Sequence, residues 1–138
     1  MLKYVSAILV LLGFAGFYLF YLQDNAPETK LTPEQLLLVK IGDKCIDFAD
    51  KSVANDIPII EFQQLERVAK RITTLTNCMT DNGYKQNPAW LAYAEPITKN
   101  NAEKEKLSFN EALTNLSRQE MQSFKAHENK PIYWVKTK

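Results

Sequence analysis

Histidine occurs once in this sequence, cysteine twice and glycine four times. A lone His127 excludes metal centres built from several imidazoles, and two thiols with one distant imidazole do not complete a tetrahedral zinc set. No Cys-x-x-Cys-His haem attachment is present. Gly13 and Gly16 lie in an apolar run, Gly42 in the first soluble helix and Gly83 at a helix end, so none is left for a phosphate-cradling loop. An excess of either charge is missing as well: 17 Lys and Arg face 16 Asp and Glu. This leaves no basic stripe for nucleic acid and no acidic solubilising tail. Internal repeats and low-complexity tracts are also missing. The remaining catalytic pairings are Cys78 with His127 and Glu120 with His127, and nothing in the sequence brings either pair together. The expectation is a protein that is not an enzyme and takes no cofactor, metal or small-molecule substrate.

What the sequence does contain is a charge-free run from Tyr4 to Leu22. As a helix it extends about 28 Å, close to the ~30 Å hydrocarbon core of a bilayer. The run is too long for an ordinary signal peptide, and Asp24-Asn25-Ala26 is followed by Pro27, a poor cleavage site. Tyr4 at one end and Tyr18, Phe20 and Tyr21 at the other resemble the aromatic belts of an anchored helix. Lys3 and the N-terminal amine precede the run, whereas Asp24 and Glu28 follow it, which favours a cytoplasmic N-terminus. The expected layout is a cytoplasmic residue 1–3 stub, a transmembrane anchor at 4–22, a short stalk at 23–31 and an extracytoplasmic domain at 32–138. In a bacterium that is a single-pass inner-membrane protein with its C-terminal domain in the periplasm.

About 110 residues beyond the stalk suffice for one core. The pattern predicts a mostly α fold of three to four helices, with room for a short two-stranded pairing. Thr32, Pro33 and Gln35 form a capping box that opens the first helix. Its charged residues from Lys40 to Lys51 share an arc of about 120°, and the apolar residues fill the opposite ~200°. Asp43, Asp47 and Asp50 interleave with Lys40, Lys44 and Lys51, the pattern of a solvated ion-pair face and not of a metal edge.

A second helix is predicted over 61–81, stopped by Gly83, with Phe62, Leu65, Val68, Ala69, Ile72, Leu75 and Met79 as its buried stripe. Arg67, Lys70 and Arg71 then fall on its outer side. Asn87 and Pro88 start a third helix that Pro96 is expected to end after two turns, leaving 99–106 as a polar loop. Ser108 and Glu111 open a last helix running to about Ala126. The apolar tail at 132–135 resembles the Pro-centred run at 57–60, which suggests that the two pair or pack as extended chain.

An even cysteine count in an exported chain favours a Cys45–Cys78 disulfide joining the first two helices. Ideal geometry opposes it. Cys45 lies about nine residues before the turn and Cys78 about eighteen after it, a mismatch of ~13 Å unless the chain around Pro58 is extended. Both the bond and two unpaired thiols remain open at this level.

Tyr84, Trp90, Tyr93, Tyr133 and Trp134 are unusually dense in aromatic character. Two readings stand: lids over the helix ends, or an exposed patch that binds a partner. Under the second, alanine at Trp90 or Trp134 removes partner capture without unfolding the domain. The function these features favour is a membrane-anchored, protein-binding module acting as an accessory, assembly or inhibitory (immunity-type) factor. The alternative is a small structural subunit of a membrane complex acting through residues 4–22.

Overall fold

The computed structural model describes residues 31–127 and 129–137. The apolar run at 4–22 and the stalk up to Lys30 lie outside them. Among the described residues no helix is long and apolar enough to cross a membrane.

Four helices and a two-stranded sheet follow in the order α1 (Pro33–Ser52), α2 (Glu61–Asp81), β1 (Tyr84–Gln86), α3 (Pro88–Glu105), α4 (Phe109–Glu120) and β2 (Trp134–Lys136). The starts of α1, α3 and α4 are those their capping residues dictate. Thr32 Oγ1 accepts from Gln35 N–H at 3.2 Å while Gln35 Oε1 accepts from Thr32 N–H at 2.8 Å, satisfying two amides that the helix leaves orphaned. Ser108 and Glu111 repeat the reciprocal pair at α4. The hydrogen bonds from Ser108 hold the Glu111 carboxyl below the usual carboxylate range. Gly83 follows α2 with φ +80, the left-handed position that a residue without Cβ takes at least cost.

The core gathers Leu38, Cys45 and Ala49 from α1, Leu75 and Met79 from α2, and Trp90 and Ala94 from α3. Phe124, Tyr133 and Trp134 close it from the C-terminal segment. Gly42, on the buried side of α1, lets the Phe124 ring lie directly on the helix backbone. A methyl group there would sit inside the ring's van der Waals envelope, and the ring has no flexible end with which to yield. Gly42→Ala gains up to about 1 kcal/mol of helix propensity but overpacks the core by ~1–3 kcal/mol. The expected result is a lower melting temperature than wild type; an unchanged or higher one would mean Phe124 is not seated on α1.

Three expectations are corrected. Pro96 does not end α3, which continues to Glu105. Proline deprives the Ala92 carbonyl of its partner and costs roughly 3 kcal/mol in a helix interior. Here Trp90, Ala94 and Thr98 form one buried stripe on both sides of Pro96, and Pro96 itself faces solvent. Thr98 Oγ1 donates to the Ala94 carbonyl at 2.8 Å, so packing of a continuous face outweighs the local defect. The supposed polar loop at 99–106 is therefore helix, closed by Lys106 in the left-handed region with φ 55.

Conversely, α4 stops at Glu120 and not near Ala126. The chain turns there because Phe124 must reach Gly42 and because Trp134 Nε1 donates to the Met121 carbonyl at 2.8 Å. The tail strand pairs with β1 and not with 57–60: Tyr84 lies opposite Lys136 and Gln86 opposite Trp134, antiparallel.

Candidate functional site

Cys45 and Cys78 are bonded, with Cα atoms 5.6 Å apart. The bond sets how far α2 slides along α1. Seven residues separate Cys45 from the end of α1 and seventeen separate Cys78 from the start of α2. At 1.5 Å per residue, the start of α2 overshoots the end of α1 by about 15 Å. The register mismatch that argued against the disulfide is real, and the chain accommodates it as an overhang. Residues 53–60 make the adjustment, with a turn from Val53 to Asp56 followed by an extended arm through Pro58 to Ile60. Gln63 Oε1 accepts from Ile59 N–H at 2.7 Å and from Ile60 N–H at 3.3 Å, fixing the arm to the first turn of α2.

The overhang leaves the first half of α2 beyond the end of α1, where its apolar stripe meets no opposing helix. In its second half, Leu75 and Met79 are fully buried, as the stripe requires. In its first half every residue from Glu61 to Lys70 is exposed, and three cations tie the helix down: Arg71 Nε donates to Asp50 of α1, Lys70 Nζ to Asp56 at 2.9 Å and Arg67 Nε to the Val53 carbonyl at 3.3 Å. The basic residues expected on the outer side thus hold α2 onto the end of α1. The apolar side is left in water: Phe62 is 63% exposed, Leu65 60% and Val68 46%, and on the arm Ile57 is 83% and Ile59 87% exposed. Ile60 is 57% exposed as well, so six large apolar residues of this segment stand in water.

Two acids lie on or beside this surface. Counting 100° per residue, Glu61 falls between Leu65 and Val68, and Glu66 falls beside Phe62 on the side of Lys70. Both are exposed, and neither forms an ion pair among the described residues. Arg67 and Lys70 line a shallow cavity together with Glu66, and Lys70 and Arg71 pair with Asp56 and Asp50.

The aromatic residues proposed for partner binding are mostly elsewhere. Tyr84, Trp90, Tyr133 and Trp134 are buried, and Tyr93 alone of the five reaches the surface. Trp90 packs edge-on to Tyr133 with ring centroids 4.7 Å apart, and Tyr133 packs edge-on to Trp134 at 4.9 Å. Burial pushes the Tyr133 hydroxyl above its ordinary pKa, partly opposed by hydrogen bonds with Gln86 and Ser117. These four rings belong to the hydrophobic core. Tyr84 and Trp134 show only an edge in a groove of about 490 Å³ between the start of α1 and the sheet, floored by Leu37, Leu38 and Ile132.

The acid–base candidates are not brought together. Glu120 accepts from Lys130 Nζ at 2.7 Å, while His127 is exposed and its backbone bridges to Lys130. The Cys78 sulfur is held in the disulfide. Periodicity alone did not reveal the exposed ridge, because a stripe has the same spacing whether it meets a core or a partner. The signal that could have located it was the unequal distance of the two cysteines from the turn. No known protein family, curated protein or solved structure matches the chain.

Proposed function

We propose that the chain is a protein-binding module, anchored in the bacterial inner membrane through residues 4–22 and presenting its helical domain to the periplasm. It acts as an accessory, assembly or inhibitory factor and not as a catalyst. The observation that carries this reading is the overhanging first half of α2, which its cations tie to Asp50 and to the turn after α1 and which leaves Phe62, Leu65 and Val68 exposed. An isolated chain gains nothing from that orientation, since exposed ion pairs contribute at most about 1 kcal/mol each while the apolar side stays wet. A bound protein that covers the crest supplies the missing burial, and apolar anchors at i, i+3 and i+7 (Phe62, Leu65, Ala69) are the usual vocabulary of a helix seated in a groove.

The test is affinity capture from crosslinked membranes, with the intact protein, with Leu65→Glu, and with residues 29–138 carried on an unrelated anchor. The expected result is one partner retained by the first and third and lost from the second, with the Leu65→Glu domain as stable as wild type because that side chain is already in solvent. A partner seen only with the native 4–22 segment would instead make the protein a small subunit of a membrane complex.

A further inference from the structure

We propose that the Cys45–Cys78 bond is a thiol–disulfide exchange site in the folded domain, entered only at Cys78, with Asn82 as hydrogen-bond donor to the sulfur that leaves. The two sulfurs share one bond but meet different surroundings. Cys45 is fully buried in the core. Cys78 is half-buried and borders a surface cavity of about 350 Å³ between α1 and α2, with Lys44 and Phe48 on one wall and Asn77 and Asp81 on the other. Exchange requires a thiolate to reach one sulfur and expel the other, so access decides which sulfur is attacked. A thiolate arriving from solvent meets Cys78.

The second requirement is relief for the departing charge. Attack at Cys78 forms a new S–S bond to the incoming thiol, breaks the bond to Cys45 and leaves the electron pair on the Cys45 sulfur. Apolar burial disfavours a thiolate there. Asn82 offsets this: its Nδ2 donates to the Cys78 carbonyl at 2.7 Å and stands 3.9 Å from each sulfur. A side-chain amide carries two hydrogens, so one holds the carbonyl while the other remains for the sulfur on which charge collects. Cys45 then takes up the proton that the incoming thiol released to water. In reverse, the same steps close the bond, with Cys45 displacing the thiol from Cys78. The cross-link that sets the overhang of α2 is thus opened and closed without unfolding the domain, by a small thiol or by the cysteine of a protein.

The experiment treats the full-length protein with glutathione, in native buffer and in guanidinium, then quenches with acid and blocks free thiols. Trypsin places Cys45 in peptide 45–51 and Cys78 in peptide 72–85. Native protein is expected to carry glutathione on 72–85 in at least about 10-fold excess over 45–51, and denatured protein to carry nearly equal amounts. A thioredoxin lacking its second cysteine is offered in a parallel arm. Adducts at 72–85 with both probes make a small thiol sufficient, and an adduct with thioredoxin alone assigns the site to a protein thiol. Asn82→Ala should slow native exchange about 5-fold, the kinetic equivalent of one lost hydrogen bond. It should also raise the pH at which Cys78 of the reduced protein becomes alkylated, a shift that a purely structural role does not produce. Adducts on 45–51, equal labelling of the two peptides in native protein, or labelling by both probes only in guanidinium would overturn the proposal. An Asn82→Ala variant with wild-type exchange and alkylation would overturn the role of Asn82.

Discussion

Trp90→Ala is expected to lower the stability of the domain by about 4 kcal/mol, the upper range for truncating a large buried aromatic side chain. Trp90 is fully buried where α3 meets the tail, with Tyr133 edge-on to it, so its removal empties the middle of the core and strips one side of the Tyr133 ring. Small domains have a total stability of ~5–15 kcal/mol, so the variant should be partly unfolded near physiological temperature. Its Nε1 has no hydrogen-bond partner among the described residues. Phenylalanine keeps most of the apolar contact and removes that unpaired donor, and Trp90→Phe should therefore lose much less than Trp90→Ala. Chemical denaturation of the two variants measures both. If Trp90→Ala were as stable as wild type but deficient in partner capture, the aromatic-patch reading would be right and the packing described for α3 wrong.

Loss of the disulfide is expected to have a comparable effect by a different route. The Cys45–Cys78 bond closes a loop of 33 residues, and chain-entropy arguments assign a cross-link of that size between about 3 and 4 kcal/mol. For a domain of this size that corresponds to a fall in melting temperature of roughly 15 °C or more. Calorimetry on the Cys45→Ala/Cys78→Ala variant, and on wild type with and without reductant, should show it. The bond also fixes the overhang of α2. Without it, the helix pair is free to slide toward equal lengths, and apolar residues at 61–68 could move onto α1. A reduced protein that keeps its helices yet no longer captures its partner would tie the ridge to the cross-link; unchanged capture would show that the ion pairs at Arg71 and Lys70 suffice to hold the register.

Local chemistry made the helix starts and the end of α2 readable. Thr32, Ser108 and Asn87 cap because their side chains satisfy orphan amides whatever the rest of the chain does, and Gly83 ends α2 because few other residues tolerate its φ. What was not readable depended on distant residues. Pro96 looks like a stop until the stripe of Trp90, Ala94 and Thr98 is known to continue beneath it. Tyr133 and Trp134 look equally suited to an interface or a core until β2 is found against β1. The candidate site was least legible, since exposure of Phe62 and Leu65 follows from a register set sixteen and thirteen residues away at Cys78.

The sheet carries a consequence for the order in which the domain assembles. Its two strands are only three residues each, yet they join chain positions some fifty residues apart, a closure whose entropic cost must be met before any of its contacts form. The α1–α2 hairpin needs no such closure and can form while the tail is still loose. Cys45, which the finished protein seals away entirely, is then open to an oxidising thiol only in that interval. Cys78 stays half-buried beside a surface cavity, so once the sheet has closed an oxidising thiol can enter only at that sulfur, and a chain that closes its sheet first is expected to form the bond more slowly.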